Sequence, residues 1–454
     1  MATKSFKWLA LLCGVSIGAA SLAHAQDSGP LIDTLVKKGV LTDQEGEDLR
    51  VELLKDFGTS SAGKLNLSSA LTELKFYGDA RVRYEYRTGE SGNTPVASAL
   101  AAGSTNNTQE RNRFRYRLRF GFNGKFHDGW FFGTRLETGV GSRSTNSTAG
   151  AVTAANGVTS KDNNTLFVGQ VYIGRTVEDF TFTAGRMPNP FVTTPMVWDD
   201  DINPEGLVEQ WQHESGNVTW KANLGQLLYE GSGTTNPIGT GISRQNTFLW
   251  VAQAGAKVKF NNGSAVQVMP TYYGYSGSAT SMTKLGTTAA GTNSGILRPT
   301  GLSIIDIPAE YSFKLGGLPA KVWVDYAYNM DAEDRAAAAG RPTFDGEDTA
   351  YQLGVGVGAA KVKGDWEAKL YYQSVDAFAL DSNLVDSDLF DSRTNMEGFV
   401  TSFSYVLSNG VTAKFTYANA KRKEQNLASY GAGDIATPNL DNYQLFQADL
   451  NVKF

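Results

Sequence analysis

Long segments of this chain alternate apolar and polar residues with a period of two. Between Lys75 and Arg87 the even positions carry aromatic, aliphatic or small side chains, while most odd positions are charged. The pattern is sharper between Arg111 and Phe122, where five arginines alternate with mainly apolar residues. A β-strand with this periodicity presents one apolar and one polar face. A soluble sandwich could place these arginines in solvent, so a single strand does not decide the fold class.

Sixteen such segments are predicted, and the connections between them alternate between long and short. Long loops follow the odd-numbered strands, and turns of only a few residues follow the even-numbered ones. A membrane barrel explains this alternation, because one rim carries short periplasmic turns and the other carries long external loops. The predicted strands are 75–87, 111–126, 129–140, 164–176, 179–186, 205–213, 217–229, 245–260, 264–276, 301–314, 319–330, 349–361, 364–376, 394–407, 411–423 and 442–454.

The cost of placing charge in lipid predicts which face of each strand points inward. An arginine that faces lipid near the membrane midplane costs ~2–4 kcal/mol. The arginines of residues 111–119 are therefore expected to face a wet lumen, and the apolar residues between them are expected to face lipid. The predicted fold class is all-β, a transmembrane antiparallel β-barrel of about 16 strands with a short N-terminal periplasmic helical hairpin.

Residues 1–25 have the features of an export signal. Lys4 and Lys7 are followed by an apolar run, and the small-residue site Ala23-His24-Ala25 ends the segment. Removing this signal also removes Cys13, the single cysteine of the chain. The exported protein then has no thiol, which excludes disulfides, thiol enzymes and cysteine-ligated metals.

A helical hairpin is predicted at residues 26–57, before the first strand. Thr42 precedes Glu45 by three residues, the spacing of a capping box that opens a second helix. Either a small structured appendage or a trimerisation or cell-wall contact is compatible with this unit. A Gly/Ser-rich linker at residues 58–74 separates it from the predicted barrel at residues 75–454.

The first two strands are expected to build a basic wall. They form a hairpin, so residues at equal distances from their loop should lie side by side, with Arg87 near Arg111 and Arg83 near Arg115. Either a solvated inner wall or a charged wall that biases ions is consistent with this pattern. The predicted pore-lining residues are Arg81, Arg83, Arg111, Arg113, Arg115, Arg117, Arg119 and Arg135.

The third long loop, residues 187–204, contains three consecutive carboxylates, Asp199, Asp200 and Asp201. If the loop folds inward, these residues would face the arginines across a constriction. A Ca²⁺ site and a solvated turn are the alternatives, although the spaced ligands and glycine of a calcium loop are missing. No metal site is predicted. The acidic later loops are interpreted as solvated surface, with divalent-cation bridging to lipopolysaccharide as the alternative.

Other function classes find little support in the sequence. His127 and His213 lie far apart, which disfavours a histidine triad or metal pair. The alternating glycines of residues 354–358 lie within a predicted strand, so small lumen-facing side chains explain them better than a nucleotide-binding loop. A formal net charge of -5 argues against nucleic-acid binding. No cofactor is predicted.

Several segments resemble the putative porin family of Gram-negative outer membranes. They are the hairpin Leu31–Glu45, the motif Ala184-Gly-Arg-Met-Pro-Asn-Pro-Phe191 and the run Val197-Trp-Asp-Asp-Asp-Ile-Asn-Pro-Glu-Gly206, and Phe454 after an alternating strand resembles a barrel assembly signal. The resemblance implies passive diffusion of small hydrophilic solutes and ions, a homotrimer in outer-membrane lipid and lipopolysaccharide, and a third loop inside the pore. The arginine wall adds an expected mild anion preference. An adhesin or structural barrel is the alternative, ahead of a barrel enzyme.

Overall fold

The chain forms two compact units, residues Met1–Ser68 and Ser69–Phe454. The computed structural model describes residues 29–59, 68–91, 108–139, 144–150, 152–155, 158–161, 165–230, 246–276, 301–431, 433–435 and 440–454. The export signal predicted at residues 1–25 lies outside these ranges. Within them, no helix combines the length and the apolar character needed to cross a membrane.

The first unit contains a pair of helices, α1 (Gly29–Lys37) and α2 (Asp43–Thr59). The predicted capping box opens α2. The backbone N–H of Thr42 donates to the Glu45 carboxylate at 2.8 Å, and the backbone N–H of Glu45 donates to Thr42 Oγ1 at 3.2 Å. These hydrogen bonds from Thr42 lower the pKa of Glu45. The helix start therefore follows directly from the local sequence.

Deleting residues 26–68 is expected to leave the sheet of the second unit able to close, because the two units have separate internal contacts. Heat modifiability on gels, the shift in migration when a barrel unfolds, measures this. The deletion variant should show the same shift as the full chain. A variant that never migrates as a folded species would contradict the expectation.

The barrel of the second unit is built from sixteen strands in sequence order, and the described residues of this unit also include the short strands Ser147–Thr148, Val152–Ala155 and Val158–Lys161. The barrel strands are β1 (Leu71–Glu90), β2 (Thr108–Phe126), β3 (Trp130–Gly139), β4 (Thr165–Val177), β5 (Phe180–Arg186), β6 (Glu205–Ser215), β7 (Val218–Glu230), β8 (Thr247–Lys259), β9 (Ala265–Val268 with Thr271–Ser276), β10 (Ser303–Asp306 with Ala309–Leu315), β11 (Leu318–Asn329), β12 (Thr349–Gly358), β13 (Trp366–Val375), β14 (Met396–Ser408), β15 (Val411–Arg422) and β16 (Asn442–Lys453). A helix, α3 (Ala332–Ala338), follows β11.

Each strand pairs with its sequence neighbour in antiparallel fashion, and β16 pairs back onto β1. The sheet is therefore a closed sixteen-stranded barrel, as predicted. The ring is sealed by register partners such as Arg83 with Asp449, and by hydrogen bonds between the backbones of Gly78 and Phe454.

Two of the strands are interrupted where the prediction had continuous segments. Pro270 lies in the gap of β9 and Pro308 lies in the gap of β10. Proline has no backbone N–H to give to the ladder, so pairing is lost locally and resumes on either side.

The two faces of the strands differ as predicted. On β1 and β2, Val82 is 59% exposed and Phe114 is 60% exposed on the outer surface, whereas Arg83 and Arg115 are buried within the barrel. The same parity holds on β8, where Trp250 is exposed outside and Gln253 is buried inside. The outside of the barrel is thus apolar, and much of the interior is charged.

Candidate functional site: the barrel interior

The hairpin of β1 and β2 places like charges opposite each other in the predicted register. Arg81 pairs with Arg117, and Arg83 with Arg115; Arg87 pairs with Arg111 in the same ladder. Opposed cations are unfavourable in a sheet, so their charges must be compensated. The compensation comes from carboxylates on β1, on β16 and on three loops.

Glu85 of β1 is the centre of this compensation. Its carboxylate accepts hydrogen bonds from Arg113 at 2.5 and 2.8 Å and lies 3.3 Å from Arg115 and 3.5 Å from Arg87. Gln447 of β16 donates a further hydrogen bond at 3.1 Å. Glu85 and Arg87 have no solvent exposure at all. This buried acid therefore neutralises guanidinium groups from both strands.

The connection between β13 and β14, residues 376–395, supplies more carboxylates to the same wall. Asp388 lies 2.5 Å from Arg83 and 3.3 Å from Arg87, and Asp391 lies 2.9 Å from Arg87. Burial alone would raise the pKa of Asp388, but the neighbouring guanidinium groups hold it well below its usual range. This loop therefore folds onto the arginine wall as an anionic partner.

The interpretation of the later acidic loops as solvated surface is wrong for this connection. Asp376, Asp381 and Asp391 are all buried. Tyr229 and Tyr275, on β7 and β9, donate hydrogen bonds to Asp381 at 2.5 and 2.9 Å. These carboxylates thus have protein partners inside the barrel.

The connection between β15 and β16 adds Asp434 to the network. Its carboxylate contacts Arg113, lies 3.0 Å from Arg111 and lies 3.3 Å from Arg87. Burial raises the pKa of Asp434, but Arg87 and Arg113 outweigh that effect and lower it to about 2. Asp434 is therefore charged at all but strongly acidic pH.

The third long loop, residues 187–204, lies inside the barrel. The backbone N–H of Val192 donates to Oε1 of Gln253 on β8 at 3.0 Å, and the Gln253 side-chain amide donates to the Val192 carbonyl at 2.9 Å. Thr194 donates a hydrogen bond to Asp325 of β11. In the ring of strands, β8 is two positions from β6 and β11 is five positions from it, so the loop reaches well beyond β5 and β6, the two strands that it connects. The loop therefore crosses the interior.

Apolar side chains of this loop hold it there. Phe191, Met196 and Trp198 are buried. Full burial of such side chains contributes roughly 1.5–3 kcal/mol each. They form one cluster with inward-facing apolar residues of the strands and of the 376–395 connection, including Val208, Leu227, Leu249, Val251, Ala327, Leu380 and Leu384.

The three carboxylates predicted for a constriction take separate directions. The backbone N–H of Asp199 donates to the Leu384 carbonyl, and the Asp199 carboxylate accepts a hydrogen bond from the backbone N–H of Ser387 at 2.9 Å. These hydrogen bonds connect the two inner loops, residues 187–204 and residues 376–395. Asp201 lies 3.7 Å from both Arg117 and Arg119. For Asp200, burial and then the charge of Asp201 raise the pKa. The constriction role of all three remains a prediction.

The Asp79 carboxylate on β1 accepts hydrogen bonds from both Arg117 and Arg119, at 2.7 and 2.8 Å. Arg135 donates a hydrogen bond at 2.7 Å to Glu137, which lies two residues further along the same strand. Among the described residues, no group of three or more histidine, cysteine or acidic side chains is placed to hold a metal ion.

A cavity of about 590 Å³ lies between the two inner loops and the walls of β1, β2 and β13–β16. Four of the eight predicted pore-lining residues border it, and the other four, Arg111, Arg113, Arg115 and Arg135, lie outside its lining. The charged side chains around the cavity are Arg81, Arg83, Arg117, Arg119, Lys369, Lys414, Lys453, Asp199, Asp200, Asp201, Glu367, Asp386, Asp388 and Asp449.

The predicted pore-lining residues include none of the three lysines, although strand parity points to them. Leu370 and Phe415 are exposed outside the barrel, so their strand neighbours Lys369 and Lys414 face inward. Within the described part of the chain, Lys414 and Lys453 form no ion pair. They are therefore the most available cations of this cavity.

Comparison with known proteins identifies a family to which this chain is matched. A family model described as putative porin matches residues 66–295 and 302–454. Solved structures with similar folds include Pseudomonas putida OprB, with 10% identity, a TM-score of 0.49, and coverage of 84% of this chain and 94% of that one. A triple mutant of Rhodopseudomonas blastica porin has 10% identity, a TM-score of 0.40, and coverage of 84% and 100%. Among curated proteins, none matches this chain significantly.

Proposed function

The chain belongs to the putative porin family, and on that premise we propose that it is a non-enzymatic channel of the Gram-negative outer membrane through which small hydrophilic solutes and ions diffuse passively. The observation that carries this proposal is the charged cavity of about 590 Å³ inside a closed barrel with an apolar outer surface. Barrels of sixteen strands are wide enough to enclose an aqueous passage. A homotrimer in contact with outer-membrane lipid and lipopolysaccharide is part of the proposal.

The constriction in this proposal lies where residues 187–204 meet residues 376–395. Asp199, Asp200 and Asp201 border the cavity together with Arg81, Arg117 and Arg119. A permeating ion would pass close to both sets of charges. Such an arrangement selects by the net charge of the nearest groups, because a narrow passage screens charge poorly.

The same charges support a mild anion preference. Seven basic and seven acidic side chains line the cavity, so their formal charges cancel. Burial and the charges of Asp199 and Asp388 raise the pKa of Asp386 well above its usual range, which disfavours its ionised form. This shifts the balance toward the cations, and Lys414 and Lys453 are the ones without an ion-pair partner among the described residues.

Under a KCl gradient across a planar bilayer, the zero-current potential of the wild-type channel is expected to have the sign of chloride preference. Replacing Arg81 and Lys414 by glutamine should move it toward potassium, because both side chains face the cavity. Lys125→Gln, on an exposed pair with Glu73, should leave it unchanged. Potassium preference in the wild type, or an unmoved potential in the double variant, would refute the anion preference. A bilayer with no conductance would refute the channel itself.

The proposed membrane orientation predicts which loops can be labelled from outside the cell. A cysteine at Asp345, exposed in the long connection between β11 and β12, should react with a membrane-impermeant maleimide in intact cells. A cysteine at Asn262, exposed in the short turn between β8 and β9, should react only after the cells are broken open. Labelling in the opposite order would invert the orientation.

A further inference from the structure

Two aromatic side chains face the barrel interior at one level of the wall. Trp323 of β11 pairs with Gly354 of β12, and Gly354 pairs with Tyr371 of β13. Val322 and Val324 on either side of Trp323 are exposed on the outer surface, so the indole points inward. The ring centroids of Trp323 and Tyr371 lie 6.1 Å apart, with an angle of 57° between the ring planes.

Gly354 makes this arrangement possible. A Cβ atom at this position would lie 2.0 Å from Cζ2 of Trp323, which is far closer than two carbon atoms can approach. Without a side chain at residue 354, the indole can lie against the sheet. Its N–H donates a 2.7 Å hydrogen bond to Oε1 of Gln352, which holds the ring in this orientation. The aromatic pair is therefore preorganised.

The rings border a cavity of about 240 Å³ that adjoins the larger one. Trp323, Gln352 and Thr194 line the smaller cavity, and Pro195, Lys369 and Tyr371 line both. A solute at this junction can therefore touch an aromatic surface on one side and the charged lining of the larger cavity on the other.

Two lysines of the larger cavity, Lys369 and Lys414, lie near this junction. Lys369 lies 2.9 Å from Glu367, while Lys414, which has no ion-pair partner among the described residues, lines the same cavity. The Lys321 ammonium is paired with Glu310 at 2.8 Å and lies 5.3 Å from the Trp323 ring. Burial raises the pKa of Asp386, which disfavours its ionised form. An anionic group on the solute is therefore favoured over a cationic one.

We propose that Trp323, Tyr371 and Lys369 form a binding subsite for small aromatic carboxylates within the channel. This inference rests on the proposed function and adds a class of solute to it. The planar ring of the solute would stack on or against Trp323 and Tyr371, since aromatic rings favour offset and edge contacts at such distances. Its carboxylate would accept hydrogen bonds from Lys369 and be attracted by Lys414.

Block of the chloride current by benzoate in a planar bilayer tests this subsite. Benzoate is expected to halve the current at a concentration roughly tenfold below that of acetate, because acetate has the charge without the ring. Benzylammonium, which has the ring and the opposite charge, should block no better than acetate. Equal block by benzoate and acetate would overturn the aromatic part, and stronger block by benzylammonium would overturn the anionic part.

Variants separate the two contributions. Trp323→Leu should raise the half-blocking benzoate concentration roughly fivefold and leave that of acetate unchanged. Trp220→Leu, at an exposed tryptophan on the outer face, is the matched control and should change neither. Lys369→Gln should weaken block by both anions.

If Trp323→Leu does not assemble, Tyr371→Leu provides the same comparison. Chloride conductance with no preference for benzoate would reject the subsite alone, whereas absence of conductance would reject the channel.

Discussion

Replacing Glu85 by glutamine is expected to lower the free energy of unfolding of the barrel by about 3–5 kcal/mol, the typical cost of removing one partner from a buried ion pair. The carboxylate is fully buried and contacts Arg87, Arg113 and Arg115. A glutamine keeps the shape of the side chain but leaves these guanidinium groups, and that of Arg83 at 3.8 Å, with less compensating charge. Urea unfolding in lipid vesicles, followed by tryptophan fluorescence, measures the loss.

Glu73→Gln is the matched control for this experiment, because it removes an acid from the same strand. Glu73 lies 2.6 Å from Lys125, but both side chains are more than half exposed. Exposed pairs of this kind contribute about 0–1 kcal/mol. If Glu85→Gln costs no more than Glu73→Gln, then the arginine wall does not depend on its central acid.

Replacing residues 379–390 by a short Gly/Ser linker is expected to raise the single-channel conductance several-fold. This part of the 376–395 connection lies inside the barrel, where Leu380 and Leu384 pack in the apolar cluster and Asp388 pairs with Arg83. Its removal also takes away the backbone partner of Asp199, and so loosens the third loop. Both changes widen the interior, and β13 and β14 remain paired as a hairpin.

The control for this replacement is the same linker in place of residues 342–346, which are mostly exposed in another long connection. Single-channel recordings of both variants in the same salt provide the comparison. The control should conduct as the wild type does. An unchanged conductance after removal of residues 379–390 would show that this segment does not obstruct the passage.

The strands and the arginine register could be predicted because both depend on local sequence. Period-two alternation identifies each strand, and the symmetry of a hairpin about its loop places Arg83 opposite Arg115. The partners of the arginines could not be predicted in the same way. Asp388 reaches Arg83 from a position 305 residues away along the chain, and no local pattern encodes such a contact.

The inward position of some interior side chains could nevertheless be predicted from the sequence. On β8, residues 248–251 are all apolar, which departs from alternation, and the inward members Leu249 and Val251 pack against the loops that fill the barrel. Such runs indicate a strand that is covered on both faces. Trp323 has inward parity between two outward valines, so its position could have been read from the sequence as well.

The seam between β1 and β16 has a consequence for the order of assembly. Arg83 bonds Asp449 across it, a contact between residues 366 positions apart, so the ring can close only after every intervening strand is present. Until then β1 and the growing end of the sheet both carry unpaired backbone groups, the kind of open edge that recruits other chains. A chain that stops folding before β16 pairs is therefore prone to aggregation. Pairing of β16 with β1 removes both open edges and so ends this exposure.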